Sequence, residues 1–364
     1  MSGQAGFTGA GETMSRQLED FFSLDRPALE QAMAEMGQPR FRADQVWGWV
    51  YRQSVDSFEA MTNLPALLRR RLSELYTLTP ATVASSQTDE PSQTRKDLLR
   101  LADSETIECV LMREPHGHTA CLSTQVGCSM GCSICATGQA GFRRDLTPAE
   151  IVFQVVHFNR QLARLPEEPR ARVGNVVFMG MGEPLLNYQA TMAAIARLCD
   201  PYGLAMNPRN ITVSTVGLPE RILALAREPL PLRLAVSLHS PDQEVRQRIL
   251  PKAGRVPIHE LIQACEAYAD SHNQRITFEY ALIRGVNDSE ADARRLVRLI
   301  GSLPAHVNLI PLNPTPGSAF QPSTPRATQA FQEVLKRSRI PCTVRHSRGI
   351  AIQAGCGQLR GCQL

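Results

Sequence analysis

The chain has no run of about 18 apolar residues, so no segment reads as a membrane span and no membrane partner is expected. Aromatic residues are few, at 5%, and charged residues make up 20%. With 43% hydrophobic residues, this composition excludes collagen, a disulfide miniprotein and a disordered tail, and leaves a folded protein with a full core. Lysine is scarce: 36 of the 39 basic residues are arginine. The excess of positive charge is only +4, which excludes bulk charge as the way to hold nucleic acid. Residues 1–80 carry 8 Arg against 10 acidic side chains, so the positive balance lies further along. Met1 to Arg16 is rich in Gly and Ser and lacks the basic start and apolar stretch of a signal peptide. The expected compartment is the cytoplasm.

A length of 364 residues suits two domains, or one barrel-sized domain with an attachment. Residues 1–15 read as a flexible leader. Residues 16–84 read as a small helical accessory module, in which Phe41, Val46, Trp47, Val50 and Tyr51 recur at helical spacing and should bury one stripe. Residues 85–113 read as a linker and β extension, opening with the polar run SSQTDEPSQTRK at Ser85 to Lys96, whose turn-forming composition suits a linker or a hairpin tip. From 114 to 349 short β-rich runs alternate with helical patterns. The strand candidates are Ala120 to Val126, Asn175 to Met179, Asn210 to Ser214, Arg233 to Leu238, Arg275 to Leu282 and His306 to Pro311. The first intervening helix opens on Thr147, Pro148 and Glu150, a capping box with proline at its first turn. Six such units predict an α/β fold, a partial (β/α)6 TIM-like barrel. Residues 350–364 form a C-terminal loop.

Chemistry in such barrels sits at the C-terminal strand ends. Polar or glycine-rich clusters fall there: Cys128 to Cys135, Gly180-Met181-Gly182-Glu183, Ser214-Thr215, Ser237-Leu238-His239, and Asn313. Ten cysteines in a reducing compartment are ligands, catalysts or buried apolar groups rather than a disulfide frame. Cys128, Cys132 and Cys135 form C-x3-C-x2-C, which wraps one inorganic centre with thiolates and provides no fourth ligand nearby. Three thiolates on a 4Fe-4S cluster leave one iron open to a substrate, which points to catalysis rather than electron relay.

That spacing, in a loop after the first barrel strand, resembles the radical S-adenosylmethionine superfamily. The resemblance implies that the open iron chelates S-adenosylmethionine and that one electron releases a 5′-deoxyadenosyl radical. Gly182 and Glu183 then resemble the segment that holds the cofactor's amino group, and Ser214, Ser237, Leu238, His239 and Asn313 are candidates for its ribose, adenine and carboxylate. More closely, the stretches CLSTQVGCSMGCSICATGQAGF, NVVFMGMGEPLLN, ITVSTVG, AVSLHSP, VNLIPLNPTPG, AGCGQLRG and FRADQVWGWVY resemble the RlmN-type dual-specificity RNA methyltransferases. This implies methylation of adenine C2 in 23S ribosomal RNA and in transfer RNA beside the anticodon. Adenine C2 is electron-poor, so a radical route makes chemical sense. A relative acting on adenine C8 is the near alternative, which Pro184 in GMGEP disfavours; a metal-containing RNA-binding protein without turnover is the distant one.

On the residues alone Cys356 reads as a buried thiol, Cys121 as a core strand residue and Glu108 as a surface strand glutamate. The resemblance implies more. Cys356 would carry a methyl taken from one S-adenosylmethionine, a second molecule would supply the radical, and Cys121 would resolve the enzyme–RNA adduct by a transient disulfide with Cys356. Glu108, placed by alternation with Thr106, Val110 and Met112, would sit among apolar neighbours that favour its protonated form, and would accept the C2 proton. A flavodoxin-like electron donor, a thiol reductant and a monomeric enzyme are expected. Cys109, Cys199, Cys265 and Cys342 read as structural, and Cys362 as an auxiliary resolving thiol. Arg69 to Arg71, Arg113, Arg143, Arg144, Arg345 and Arg348 are candidate RNA contacts.

Overall fold

The computed structural model describes residues 18–166, 168, 171–313, 315, 318–345 and 348–361. The leader at 1–15 and Cys362 lie outside the described residues. Ten strands form one sheet in which each strand lies beside its sequence neighbours. They are β1 (Thr82–Asp89), β2 (Thr94–Arg100), β3 (Thr106–Glu114), β4 (Gly117–Cys121), β5 (Val173–Phe178), β6 (Ile211–Thr215), β7 (Arg233–Ser237), β8 (Ile276–Leu282), β9 (Ala305–Pro311) and β10 (Cys342–Val344). Pairing is antiparallel from β1 to β4 and parallel from β4 to β10. Helices connect the parallel strands, so β4 to β9 supply the six expected units. The sheet stays open, with β1 at one edge and β10 at the other.

Burial on both faces follows from this topology. In β8, Ile276, Phe278, Tyr280 and Leu282 are fully buried on one face. Glu279 and Ala281, on the alternate face, line the central cavity. The capping box forms as expected: Thr147 Oγ1 accepts from Glu150 N, and Thr147 N donates 2.8 Å to Glu150 Oε2. The helix it starts, Pro148–Leu162, is buried nearly all round. It is covered by the sheet, by the helical module through Phe22 against Phe153, and by β2 through His157 Nε2 at 2.7 Å from Asp97 Oδ2.

Three expectations change. The strand Ala120 to Val126 breaks after Cys121, because Ser123 N turns to Gln154 Oε1 and Thr124 N to Met181 O; Gln125–Gly127 pairs instead with Phe142–Asp145. The polar run at Ser85 to Lys96 is the hairpin of its two readings and not the linker, and it extends beyond the tip at residues 90–93 into β1 and β2. Cross-strand bonds such as Ser86 Oγ to Asp97 Oδ1 satisfy its polar groups inside the sheet. Phe41 is exposed at the start of its helix, with the Arg42 guanidinium over its ring, while Val46, Trp47, Val50 and Tyr51 form the buried stripe.

The helical module, with helices Arg26–Glu35, Phe41–Tyr51 and Ala66–Leu75, is pinned to the barrel by polar anchors. Trp47 Nε1 donates 2.7 Å to Asp200 Oδ2, and Arg160 donates to the carbonyls of Ser54, Val55 and Leu78. No carboxylate pairs with Arg160 among these contacts; three carbonyls share its guanidinium. Replacing Arg160 with Met should strand those carbonyls and cost about 3 kcal/mol in urea unfolding. Protease cleavage in residues 54–80 should rise with it.

Candidate active site

The loop that carries the three cysteines runs from Gly127 into the helix Ala136–Ala140. Cys128 N donates 2.8 Å to Gly141 O, Cys135 N donates to Cys132 O, and Ser133 N reaches Ile249 O, which closes the loop on itself and on the barrel rim. Cys128 and Cys132 are buried and Cys135 is half-buried. Burial pushes the Cys128 thiol up to about 11 and raises Cys132 further; in each case the charge of neighbouring cysteines adds to the effect. Cys128 and Cys132, pushed this far toward the neutral thiol, ionise together only against a cation, so the donor set fits a metal centre. Among the described residues no three His, Cys, Asp or Glu converge closely enough for a single ion. A 4Fe-4S cube takes its thiolates at separate iron corners and does not require them to converge on one ion.

Cys132 and Cys135 face a cavity at the C-terminal ends of the strands, which Gly182, Glu183, Ser214, Ser237, His239 and Asn313 also line. The cavity opens to solvent and has a volume of about 170 Å³. Gly182 has φ +99°, and a Cβ there would lie 2.6 Å from Gln125 Cβ. Only glycine lets this turn close. Glu183 is 2% exposed, accepts from Leu185 N and from Val216 N at 2.8 Å, and is raised to about 7 by burial. An ammonium in the cavity would restore its charge. Leu238, by contrast, is fully buried behind the wall, and its N–H goes to Glu279 O, so its side chain packs instead of lining the cavity.

The C-terminal loop reaches this cavity from the other end of the chain. Ala136 N donates 2.7 Å to Gly357 O, Thr137 Oγ1 donates to Leu359 O, and Asn313 Nδ2 donates 3.0 Å to Cys356 O. Asn313 therefore holds the cysteine loop as well as lining the site. A Cβ at Gly357, φ +81°, would lie 2.9 Å from Ile134 O. Cys356 is exposed, and what it is exposed to is the cavity. Surrounding protein raises its thiol, and the Arg345 guanidinium opposes that rise. Cys121 is buried and pushed up to about 12, with Cys356 among the charges it feels. Both sulfurs thus share Arg345, whose Nη1 lies 3.7 Å from Glu279 Oε1.

Glu108 is buried, but its setting is polar and not the apolar one expected. Oε1 lies 2.8 Å from Lys96 Nζ, and Oε2 accepts from Arg360 N at 2.6 Å and Gly361 N at 3.2 Å. The carboxylate opens on a neighbouring cavity, separated from Cys356 by the C-terminal loop. The candidate RNA arginines are mostly engaged within the chain. Arg144 grips Glu150 with both nitrogens and Asp103 with a third, Arg143 pairs with Glu105, Arg113 with Glu168, and Arg70 and Arg71 with Glu74. Arg69 caps Glu59 O, Arg348 meets Arg113 O, and Arg345 turns inward to the thiols. Sequence reasoning missed Glu279 and Lys96. A lone acid in the apolar strand ITFEYAL, and one of three lysines among so many arginines, were the available signals.

His239 has φ 58°, is 8% exposed, and accepts 3.0 Å from Ala281 N at Nδ1, which leaves Nε2–H as the donor. Burial lowers it to about 3. The unfolded chain therefore binds a proton below the usual histidine range near 6.5 that the folded chain refuses. Stability from this group is complete above that value and falls as pH drops toward 3. Denaturant titrations between pH 7 and pH 4.5 should show a shallower acid loss for His239→Asn than for wild type; equal slopes would contradict the assignment.

Comparison with known proteins agrees with this geometry. Residues 19–78 match the family described as the ribosomal RNA large subunit methyltransferase N-terminal domain, and residues 122–297 match the radical SAM superfamily. A probable dual-specificity RNA methyltransferase RlmN from Moorella thermoacetica is 45% identical over 91% of this chain and 94% of its own. The dual-specificity RNA methyltransferase RlmN 1 of Myxococcus xanthus is 46% identical over 94% of each. The crystal structure of a radical SAM methyltransferase from Sphaerobacter thermophilus superposes with TM-score 0.89 at 45% identity, covering 94% of this chain and 99% of that one. These matches favour the RlmN group over the C8-methylating alternative. Fold, cysteine loop and sequence together make the chain a member of the RlmN family of radical S-adenosylmethionine RNA methyltransferases.

Proposed function

We propose that this enzyme methylates C2 of an adenine in 23S ribosomal RNA and in transfer RNA, with Cys356 as the methyl carrier. The observation that supports this most is that Cys356, far away in sequence, lines the same cavity as Cys132 and Cys135. Cys128, Cys132 and Cys135 would hold a 4Fe-4S cluster, and S-adenosylmethionine bound there would supply a methyl group for Cys356 and, from a second molecule, hydrogen-abstracting radical chemistry. Gly182, Glu183, Ser214, Ser237 and His239 orient the cofactor, Glu183 as carboxylate to its ammonium and His239 through Nε2–H. Leu238 packs behind the cavity wall with its backbone groups bonded within the fold, and Asn313 shares its amide with Cys356 O.

Cys356 accepts the methyl as a thiolate, which Arg345 favours against the raising effect of burial. After the carbon radical has joined adenine C2, the adduct must lose a proton and one electron for the ring to become aromatic again: Glu108 takes the C2 proton, and the electron would return to the oxidised cluster. Cys121 then attacks the Cys356 sulfur: the S–S bond forms, the S–CH2 bond breaks, and the methylene leaves with the electron pair and takes a proton. The disulfide requires an external dithiol, and the cluster an external electron donor such as a flavodoxin. The target base must unstack to enter, which costs least in an RNA loop.

In anaerobically reconstituted enzyme, the Cys356 peptide should carry a thioether methyl. Cys356→Ala should abolish RNA methylation, Cys121→Ala should accumulate a covalent enzyme–RNA species, and Cys128→Ala should lose the cluster's iron and its visible absorption. Methylated nucleoside with the label at C8, or active enzyme with unmethylated Cys356, would refute the route.

A further inference from the structure

Lys96 and Glu108 lie on β2 and β3 on the same face, as diagonal neighbours: Lys96 stands opposite Val110, and Glu108 opposite Leu98. Their charged groups meet at 2.8 Å, with each side chain only 10% exposed. Both also hold the loop that carries Cys356. Lys96 Nζ reaches Gln353 O at 3.5 Å, before the cysteine, and Glu108 Oε2 takes the amides of Arg360 and Gly361, after it. The ion pair therefore grips the methyl-carrier loop on both sides.

Lysine here is chemically pointed. In a chain with 36 arginines and three lysines, this buried position holds a compact ammonium, which fits between one carboxylate oxygen and one carbonyl where a planar fork would need more room. We propose that Lys96 is a positioning residue for release of the RNA adduct: it holds Glu108 Oε1 so that Oε2 stays on the Cys356 loop, where the C2 proton is given up. This rests on the reading of Glu108 as the proton acceptor. In the step, the C2–H bond breaks, its proton passes to the Glu108 carboxylate and its bonding pair stays with the ring, while the odd electron of the radical adduct would return to the oxidised cluster. Lys96 remains an ammonium and exchanges no proton. Without it, a buried carboxylate loses its counter-charge and either takes up a proton beforehand or turns away.

The test uses full-length reconstituted holoenzyme with an RNA substrate and S-adenosylmethionine, in four forms: wild type, Lys96→Met, Lys96→Arg and Glu108→Gln. Two quantities are read separately, the thioether on Cys356 by peptide mass and the covalent enzyme–RNA adduct on denaturing gels. Lys96→Met should methylate Cys356 within about threefold of wild type yet accumulate about tenfold more adduct, a decade being the scale of a lost neighbouring charge. Lys96→Arg should restore at least part of the release. Release at the wild-type rate in Lys96→Met overturns the proposal, and so does an equal loss of both quantities, which would mark a merely structural role. Glu108→Gln separates the two ideas. If it traps adduct and Lys96→Met does not, Glu108 stands and Lys96 falls; if Glu108→Gln traps none, the acceptor reading itself fails and Lys96 falls with it.

Discussion

The functional site depends on the docking of the C-terminal loop against the cysteine loop. Thr137 Oγ1 and Leu359 O are 222 positions apart, and their hydrogen bond, with those from Ala136 N to Gly357 O and from Asn313 Nδ2 to Cys356 O, carries Cys356 to the rim where the thiol trio sits. These are few bonds for a long loop closure. They hold because the close approach is sterically prepared: Gly357 lies where any side chain would collide with Ile134 O.

Dryness unites the groups around the cavity. Burial raises Glu183 to about 7 and Cys121 to about 12, and lowers His239 to about 3, so each is pushed toward its neutral form. Electrostatic contacts with a charged ligand gain strength in such surroundings, and water is kept from reactive species. Arg345 is the exception that serves the thiols, since it faces Cys121, Cys356 and Glu279 together.

The hairpin of β1 and β2 is a second scaffold for the same purpose. Asp97, fully buried on β2, is held down at about 2 despite its burial, because His157, Ser86 and Gln161 all hydrogen-bond to it. That network locks the hairpin to the helix Pro148–Leu162 and so sets the position of Lys96 next door on the strand. Glu108 is tied from its backbone as well, since Ser123 Oγ donates to its carbonyl and its N–H meets Met181 Sδ. The GMGEP loop, the cysteine-bearing segment and the Glu108 strand thus share one frame.

Local chemistry made much of this readable from the chain. Strand and helix periods, the Thr147–Glu150 capping box and the C-x3-C-x2-C spacing depend on residues within a few positions of one another, and the structure reproduces them. For the polar run at Ser85 to Lys96, composition left a linker and a hairpin tip open, because the hydrogen-bond partners that decide for the hairpin lie across a strand pair. Likewise Arg144 and Arg345 look like free cations in sequence, and only folding brings Glu150, Asp103 and Glu279 to them. The polar setting of Glu108, the sharing of Arg345 by two thiols and the arrival of Cys356 at the trio were decided by tertiary structure alone. Each depends on contacts between distant segments, whose geometry is set by how the sheet opens and where the last loop closes.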